Sequence, residues 1–193
     1  MRTLLTVWPY ALVFSAVFIW AYAPEFILNR RSRKLPSSQD GGSLRLATLV
    51  QIPATAAAFV VALAGKFGAL ERQRLWFWVG VGSMVVGGLL RRHCFRMLGP
   101  SFTAVVVVAP GQQVVERGAY RWVRHPSYTA AAVFYAGLTL ALGNWISVAI
   151  ILSAAVLTYA YRVRIEERAL LDALGEPYRS YMGRTKRFIP MVF

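Results

Sequence analysis

Apolar residues in this chain come in long blocks rather than at amphipathic intervals. Leu4 to Leu28 is almost uninterrupted, and similar stretches run from Leu44 to Ala64, Leu75 to Leu90, Pro126 to Gly143 and Trp145 to Tyr161. About 20 apolar residues cross a bilayer as a helix, so the pattern predicts five membrane-spanning helices. Only Gly143-Asn144 separates the last two, which read as a tight helical hairpin. The first block is longer than the roughly 7–15 residues of a signal-peptide core. Pro24-Glu25-Phe26 is no small-residue cleavage site, so this block is expected to stay on the protein. After Tyr161 the pattern changes period but does not stop. Arg162 to Leu171 continues as an amphipathic helix, and Gly175 supplies a C-cap.

The segments between blocks carry their own signals. Asn29 to Gly42 is polar and turn-rich. Gly99 to Arg124 is too short and too polar to span, with a β-branched run at Val105 to Val108 and a turn at Pro110-Gly111. A connector of that length is usually functional or disordered, and the valines argue for order. Ala54, Ala58 and Ala62 lie at helical spacing in the second block, Ser83 and Gly87 in the third. Small residues four apart let helices approach closely in lipid, so both sets read as packing faces. Gly80-Val81-Gly82 has no third glycine at Val85 and no preceding strand, so it fails as a dinucleotide-binding loop. The expected architecture is all-α and integral to the membrane, with five transmembrane helices and a cytoplasmic C-terminal helical region. Residues 1–98 hold the first three helices. Residues 99–193 hold the connector, the hairpin and the C-terminal region, as parts of one integrated domain.

Composition agrees. Of the 193 residues, 57% are hydrophobic and 16% charged, against about 25% charged in soluble domains. The net charge of +14 would suit nucleic acid, but its distribution does not. Apart from Arg2, Lys66, Arg72 and Arg74, every basic residue falls in the first inter-block loop, in the connector region or after the fifth block. That is the positive-inside pattern for a chain with its N-terminus outside and its C-terminus in the cytoplasm. Contact with anionic membrane lipid follows, and nucleic acid does not. Cys94 is the single cysteine, which excludes an internal disulfide or a cysteine-based metal cluster. Arg91, Arg92, His93 and Arg96 around it could lower its thiol pKa. With two histidines and eight acids in the chain, no metal site is expected.

The densest chemistry is Gly118-Ala119-Tyr120-Arg121-Trp122-Val123-Arg124-His125-Pro126-Ser127-Tyr128, immediately before the fourth block. Pro126 reads as the first residue of a helix, where its missing N–H costs nothing. His125, Ser127 and Tyr128 then sit at a helix mouth whose free donors and dipole favour an anion. Against this, four of the eight acids, Glu166, Glu167, Asp172 and Glu176, crowd into the segment after the fifth block. Arg162 and Glu166 could form an i,i+4 pair, in the weaker orientation. The alternative is a carboxylate, Glu166 or Glu167, held to receive a cation. Anion and cation sites together would suit a zwitterionic amino-acid cofactor.

The order GxYxxVRHPSY, then an arginine followed by Glu166-Glu167 and Leu170-Leu171, then GEPYxxY and RFxP, resembles the isoprenylcysteine carboxyl methyltransferase family. More broadly it is similar to the membrane methyltransferases that include phospholipid N-methyltransferases. The motifs run from Gly111 to Pro190. The resemblance implies S-adenosylmethionine as cofactor, no metal, and a lipidic or prenylated substrate drawn from the bilayer. It implies cofactor contacts at Gln112, Gln113, Val114 and Val115, largely through backbone, and at Tyr120, His125, Pro126, Ser127, Tyr128 and Glu166. Arg162 would be the catalytic and substrate-binding residue, standing where the family holds its substrate's carboxylate. Val105 falls where some relatives place a polar cofactor contact, a departure from the pattern.

Methyl transfer from a sulfonium is an in-line displacement, which needs alignment in a water-poor site more than acid–base help. A carboxylate acceptor is already ionised. An amine or thiol would need a base, and only Glu166, Glu167 or a tyrosine could serve. Carboxyl O-methylation is therefore the first expectation, with phospholipid N-methylation, an NADPH-dependent sterol-type membrane reductase and a non-catalytic scaffold as rivals. Lys34, Lys66 and Lys186 are the only lysines. That arginine bias hints at a bacterial inner membrane and at a small isoprenoid or lipid acid as acceptor.

Overall fold

The computed structural model describes residues 3–32, 40–65, 67–108 and 111–189. Most of the first inter-block loop, Lys66, Pro110 and Pro190 therefore lie outside the described residues, and with them parts of three sequence motifs. Among the described residues six α-helices follow one another: α1 (Tyr10–Ser32), α2 (Ser43–Ala64), α3 (Gln73–Leu98), α4 (Pro126–Leu142), α5 (Trp145–Leu174) and α6 (Glu176–Arg184). Short 3-10 turns cover Leu4–Thr6, Gly99–Ser101 and Gly118–Arg121. Among the described residues there is no strand, only isolated bridges such as Val123 with Lys186.

All five predicted blocks are helical, but they are not equally able to cross a membrane. Three helices, α1, α2 and α5, are long and apolar enough by length and composition. Helix α4 is apolar but has only 17 residues. Helix α3 is long enough, yet Arg91, Arg92, His93 and Arg96 occupy its last two turns. Leu49, Ile52, Val60, Leu63, Trp78, Leu89, Val156 and Leu157 are all exposed on the outer surface. An apolar exterior of this extent suits lipid and not water.

Packing follows the small-residue faces. Helices α3 and α4 make the tightest crossing, backbone against backbone. A Cβ at Gly137 would stand 2.6 Å from the Gly80 carbonyl oxygen, and one at Gly87 2.6 Å from the Phe134 nitrogen. The glycine pair that imitates a nucleotide loop is thus split: Gly80 is buried in this crossing, while Gly82 meets nothing within 4 Å. Helix α2 lies antiparallel on α5, with fully buried Ala58 at the contact and the Ser147 hydroxyl donating to the Ala58 carbonyl at 2.7 Å. The hairpin turn works through Gly143, in the left-handed region at φ 70°, and Asn144. The Asn144 side chain caps α5 by accepting from Ile146 N and Ser147 N, and donates to the Phe67 carbonyl.

Helix α1 packs on α3, and two arginines secure it. Pro24 sits inside α1 and removes the N–H that would satisfy the Trp20 carbonyl. The Arg92 guanidinium donates to that orphaned carbonyl and lies 3.8 Å from the Trp20 ring centroid. Arg91 holds Glu25. Helices α1 and α2 meet at Phe14 and Phe59, whose rings are 6.0 Å apart. Elsewhere they scarcely touch.

Candidate active site

Pro126 opens α4 and His125 is its N-cap, as the sequence predicts, but the His125 side chain makes no cap bond. The chain before α4 is fixed by the C-terminal segment returning beside it. Arg124 N donates to the Lys186 carbonyl at 2.8 Å and His125 N to the Arg187 carbonyl at 2.9 Å. The Thr129 hydroxyl donates to the Phe188 carbonyl at 2.9 Å. Helix α5 runs unbroken past Tyr161 to Leu174, and the Gly175 N–H closes it on the Leu171 carbonyl. Glu166 and Glu167 are therefore carried on a rigid extension of the fifth block, opposite the mouth of α4.

The two adjacent acids point to different partners. Buried Glu167 is surrounded by Arg124, His125 and Arg187, at 2.9, 3.3 and 2.9 Å. Arg124 is further held by the carbonyls of Met182 and Thr185. This cluster ties the strand-like segment before α4 to α5 and the C-terminal segment. Glu166 is a third exposed at its side chain, accepts from the Tyr128 hydroxyl at 2.8 Å and lies 3.8 Å from His125 Nδ1. The ring of His125 thus has a carboxylate on each side, Glu167 being shared with two arginines.

Arg162 does not pair with Glu166 along the helix. Its Nε donates to the Tyr128 hydroxyl at 3.2 Å, Nη1 to Ser43 Oγ at 3.3 Å and Nη2 to the Ala104 carbonyl at 2.7 Å. Asp40, 3.8 Å away, accepts from Ser43 Oγ, Leu44 N and Val106 N. Connector, α2 and α5 converge on this one guanidinium. The valine run is ordered as expected, with Val105 and Val106 buried.

A cavity of about 1210 Å³ runs through these groups. Gln112, Gln113, Val114, Val115, Tyr120, His125, Ser127, Tyr128, Arg162 and Glu166 all line it. Two residues singled out from the sequence are absent from the wall: Pro126, buried in the first turn of α4, and Glu167, held in its own cluster. At the other end the lining is Phe18, Phe59 and Leu138, and Phe26, Leu49 and Ile52 belong both to this wall and to the exposed surface. The apolar wall is therefore continuous with the outer face of α1 and α2.

Sequence reasoning missed Arg91, Glu25, Tyr22, Tyr135 and Tyr159, which also line the cavity. Glu25 carried the signal: an acid inside an apolar block is costly unless it serves a site or a partner. Burial pushes the Tyr120 and Tyr178 phenols well above their usual range and Tyr181 up to about 12. At neutral pH these are protonated donors, not bases. Burial also pushes the Cys94 thiol up to about 11 despite the neighbouring arginine Arg91, so the activated thiol that its basic neighbours suggest does not form. Among the described residues no group of three metal-ligating side chains is present.

Residues 78–172 match the family model described as isoprenylcysteine carboxyl methyltransferase. The chain is 27% identical over 114 residues to the protein-S-isoprenylcysteine O-methyltransferase of Schizosaccharomyces pombe, covering 58% of this chain and 48% of that one. It is 31% identical over 126 residues to the protein of the same name from Dictyostelium discoideum, with 64% and 53% covered. With a probable protein-S-isoprenylcysteine O-methyltransferase of Oryza sativa it shares 25% identity, covering 63% of this chain and 66% of that one. The chain thus spans about half to two thirds of the length of these relatives. The matched region takes in most of α3, the connector, α4 and most of α5, and leaves out α1, α2 and α6.

Proposed function

This chain belongs to the isoprenylcysteine carboxyl methyltransferase family, and from that membership we propose that it methylates the carboxylate of an isoprenoid or lipid-like acceptor with S-adenosylmethionine as donor. One observation carries the reading. A single cavity joins a polar end, between the connector and α5, to an apolar end continuous with the lipid-facing surface. Its volume of about 1210 Å³ exceeds the roughly 300–1,000 Å³ of a pocket for one small ligand. It has room for donor and acceptor together.

The residues present fit the donor. Glu166, partly exposed in the cavity and oriented by Tyr128, is suited to an ammonium group, and the connector backbone at 112–115 to further hydrogen bonds. His125, Ser127 and Tyr120 complete that end, with Pro126 fixing the start of α4 behind them. When bound, S-adenosylmethionine supplies a methyl group on a sulfonium. The acceptor oxygen forms the new C–O bond with a lone pair, the S–CH3 bond electrons stay on sulfur, and no proton moves. A site without a free base is therefore sufficient. Glu167 is committed to Arg124, His125 and Arg187, and the buried phenols stay protonated. Arg162, on the boundary between the polar and apolar ends, supplies positive charge to orient the acceptor's carboxylate.

The gap between α1 and α2 gives the acceptor a route from the bilayer. The distribution of basic residues supports a cytoplasmic polar end, and the excess of arginine over lysine supports a bacterial inner membrane. The test is transfer of labelled methyl from S-adenosylmethionine by membranes containing the protein, offered an S-prenylated cysteine, a farnesyl carboxylic acid and phosphatidylethanolamine. Base-labile methyl esters on the acids are expected. Label on the phospholipid amine alone, or none at all, would overturn the reading.

A further inference from the structure

Helix α2 presents a stripe of side chains to the cavity, from Leu44 through Thr48, Ile52 and Thr55 to Phe59. Gln51 stands in the middle of that stripe and breaks its chemistry. Its amide oxygen and nitrogen are both shielded from solvent, and among the described residues neither has a hydrogen-bond partner. The threonines of this wall are occupied. Thr48 and Thr55 donate back to the Leu44 and Gln51 carbonyls at 2.8 and 2.7 Å, and Thr158 of α5 donates to the Ala154 carbonyl at 2.8 Å. An amide left unmet inside an apolar, membrane-crossing helix is costly, and a leucine in its place would avoid the cost.

A partner for that amide does not come from the outer surface. Leu49 and Ile52 beside it are exposed there, but the amide itself is shielded. Neither a lipid headgroup nor a second copy of the chain reaches it from that side. The Gln51 side chain borders the cavity, and rotation about its own bonds brings the amide to whatever the cavity holds.

We propose that Gln51 selects the acceptor by its tail. The preferred acceptor is a lipid acid whose chain carries, partway along, a hydroxyl or a secondary amide. This rests on the carboxyl-methylation reading and narrows its acceptor. A glutamine amide both donates and accepts, and hydroxyls and secondary amides do the same, so either group meets both of its sides. An ether or ester oxygen meets only the donor, and a hydrocarbon chain meets neither. A site built to hydrogen-bond one substrate group rejects the analogue that lacks it, because its own polar atoms are then left unpaired.

The position of the group follows from the helix. Gln51 lies eight residues along α2 from Ser43, whose hydroxyl accepts from Arg162. At the rise of an α-helix this sets the polar group about 12 Å from the level of Arg162, near the middle of a long fatty chain. Helix α2 also lies outside the residues matched by the family model. The contact therefore concerns this chain's choice of acceptor and not the transfer chemistry.

The experiment offers four acids of equal length to the full-length protein in lipid nanodiscs. They are octadecanoic acid, its analogue hydroxylated mid-chain, an analogue with a secondary amide at that point, and one hydroxylated at the far end. Equilibrium binding of each acid and methyl transfer from S-adenosylmethionine are both recorded. Wild type should bind the two mid-chain polar acids about tenfold more tightly than the plain acid, with no gain from the far-end hydroxyl. Gln51→Leu should erase that preference, bind the plain acid more tightly than wild type does, and keep its affinity for S-adenosylmethionine. Gln51→Met, matched in length, gives the same comparison should the leucine variant fail to fold. Equal wild-type affinity for plain and mid-chain polar acids, or a preference that survives the loss of the amide, overturns the proposal. Methyl esters formed without that preference sink only the role of Gln51. Neither binding nor methyl esters with any of the four acids sinks carboxyl methylation and the role of Gln51 together.

Discussion

The Tyr128 hydroxyl donates to the Glu166 carboxylate at 2.8 Å, and in doing so stands between Glu166 and Arg162. Two groups that helix spacing would pair directly are separated by a phenol from the facing helix. The arrangement keeps Glu166 oriented into the cavity and leaves its charge available. Tyr128→Phe removes the bridge with little change in volume. A hydrogen bond to a charged group contributes about 1.5–3 kcal/mol, so S-adenosylmethionine affinity should fall roughly tenfold or more. Isothermal titration on the solubilised protein measures this, with an unchanged melting temperature as the control for folding.

Glu166 and Glu167 are neighbours in sequence with opposite duties. Glu167→Gln strips the counter-charge from Arg124 and Arg187 and the carboxylate partner from His125, in a largely buried cluster. Breaking such a pair by removing one partner costs about 3–5 kcal/mol, so the protein should lose much of its thermal stability. Glu166→Gln should instead keep its melting temperature and lose cofactor affinity. Thermal unfolding and cofactor binding on the two variants together check the assignment. Equal destabilisation of both would contradict it.

Local features of the sequence carried over into the structure well. Pro126 opens a helix, Gly175 closes one, Ala58 of α2 packs on α5, and the amphipathic segment after Tyr161 continues its block. Each of these depends on residues a few positions apart. What could not be read was pairing at long range. The carboxylate Glu25 and its arginine are 66 positions apart, and Asp40 lies as far from Val106 N. Nothing in hydropathy says which arginine a buried acid will meet. The same limit applies to Glu166 and Glu167, which became distinguishable only once Arg124 and Arg187 were seen converging on the second. Of the span count, helix existence was legible, while the ability of α3 and α4 to cross lipid was not.

Gly80 and Gly137 set the distance between α3 and α4. A Cβ at Gly80 would come within 2.5 Å of the Gly137 carbonyl oxygen, and one at Gly137 within 2.6 Å of Met84 N. Backbone atoms cannot yield as a side chain can. Gly80→Ala and Gly137→Ala should each cost about 1–3 kcal/mol through forced separation of the helices. Gly82, two residues along, has open space around its Cβ position, and Gly82→Ala should be neutral or slightly stabilising in a helix. Melting temperatures of the three variants in detergent give the comparison directly. A dinucleotide-loop role for this stretch would instead make Gly82 as sensitive as Gly80.

Arg162 brings together structural and proposed chemical roles, and substitutions of different size can part them. Arg162→Ala would leave the Ala104 carbonyl and Asp40 without their cation, so lost activity in that variant would not separate folding from chemistry. Arg162→Lys keeps the charge near Asp40 but cannot reach Tyr128, Ser43 and Ala104 with one ammonium group. If Arg162 orients the acceptor, this variant should retain S-adenosylmethionine binding within about threefold, because Glu166 still holds the Tyr128 hydroxyl. Its kcat should fall about a hundredfold, the loss expected when reacting atoms are misplaced by an ångström or so. The Michaelis constant for S-adenosylmethionine should stay level, which distinguishes misalignment of the acceptor from damage to the donor's end of the cavity. A variant that loses cofactor affinity in step with turnover would instead assign Arg162 to the donor.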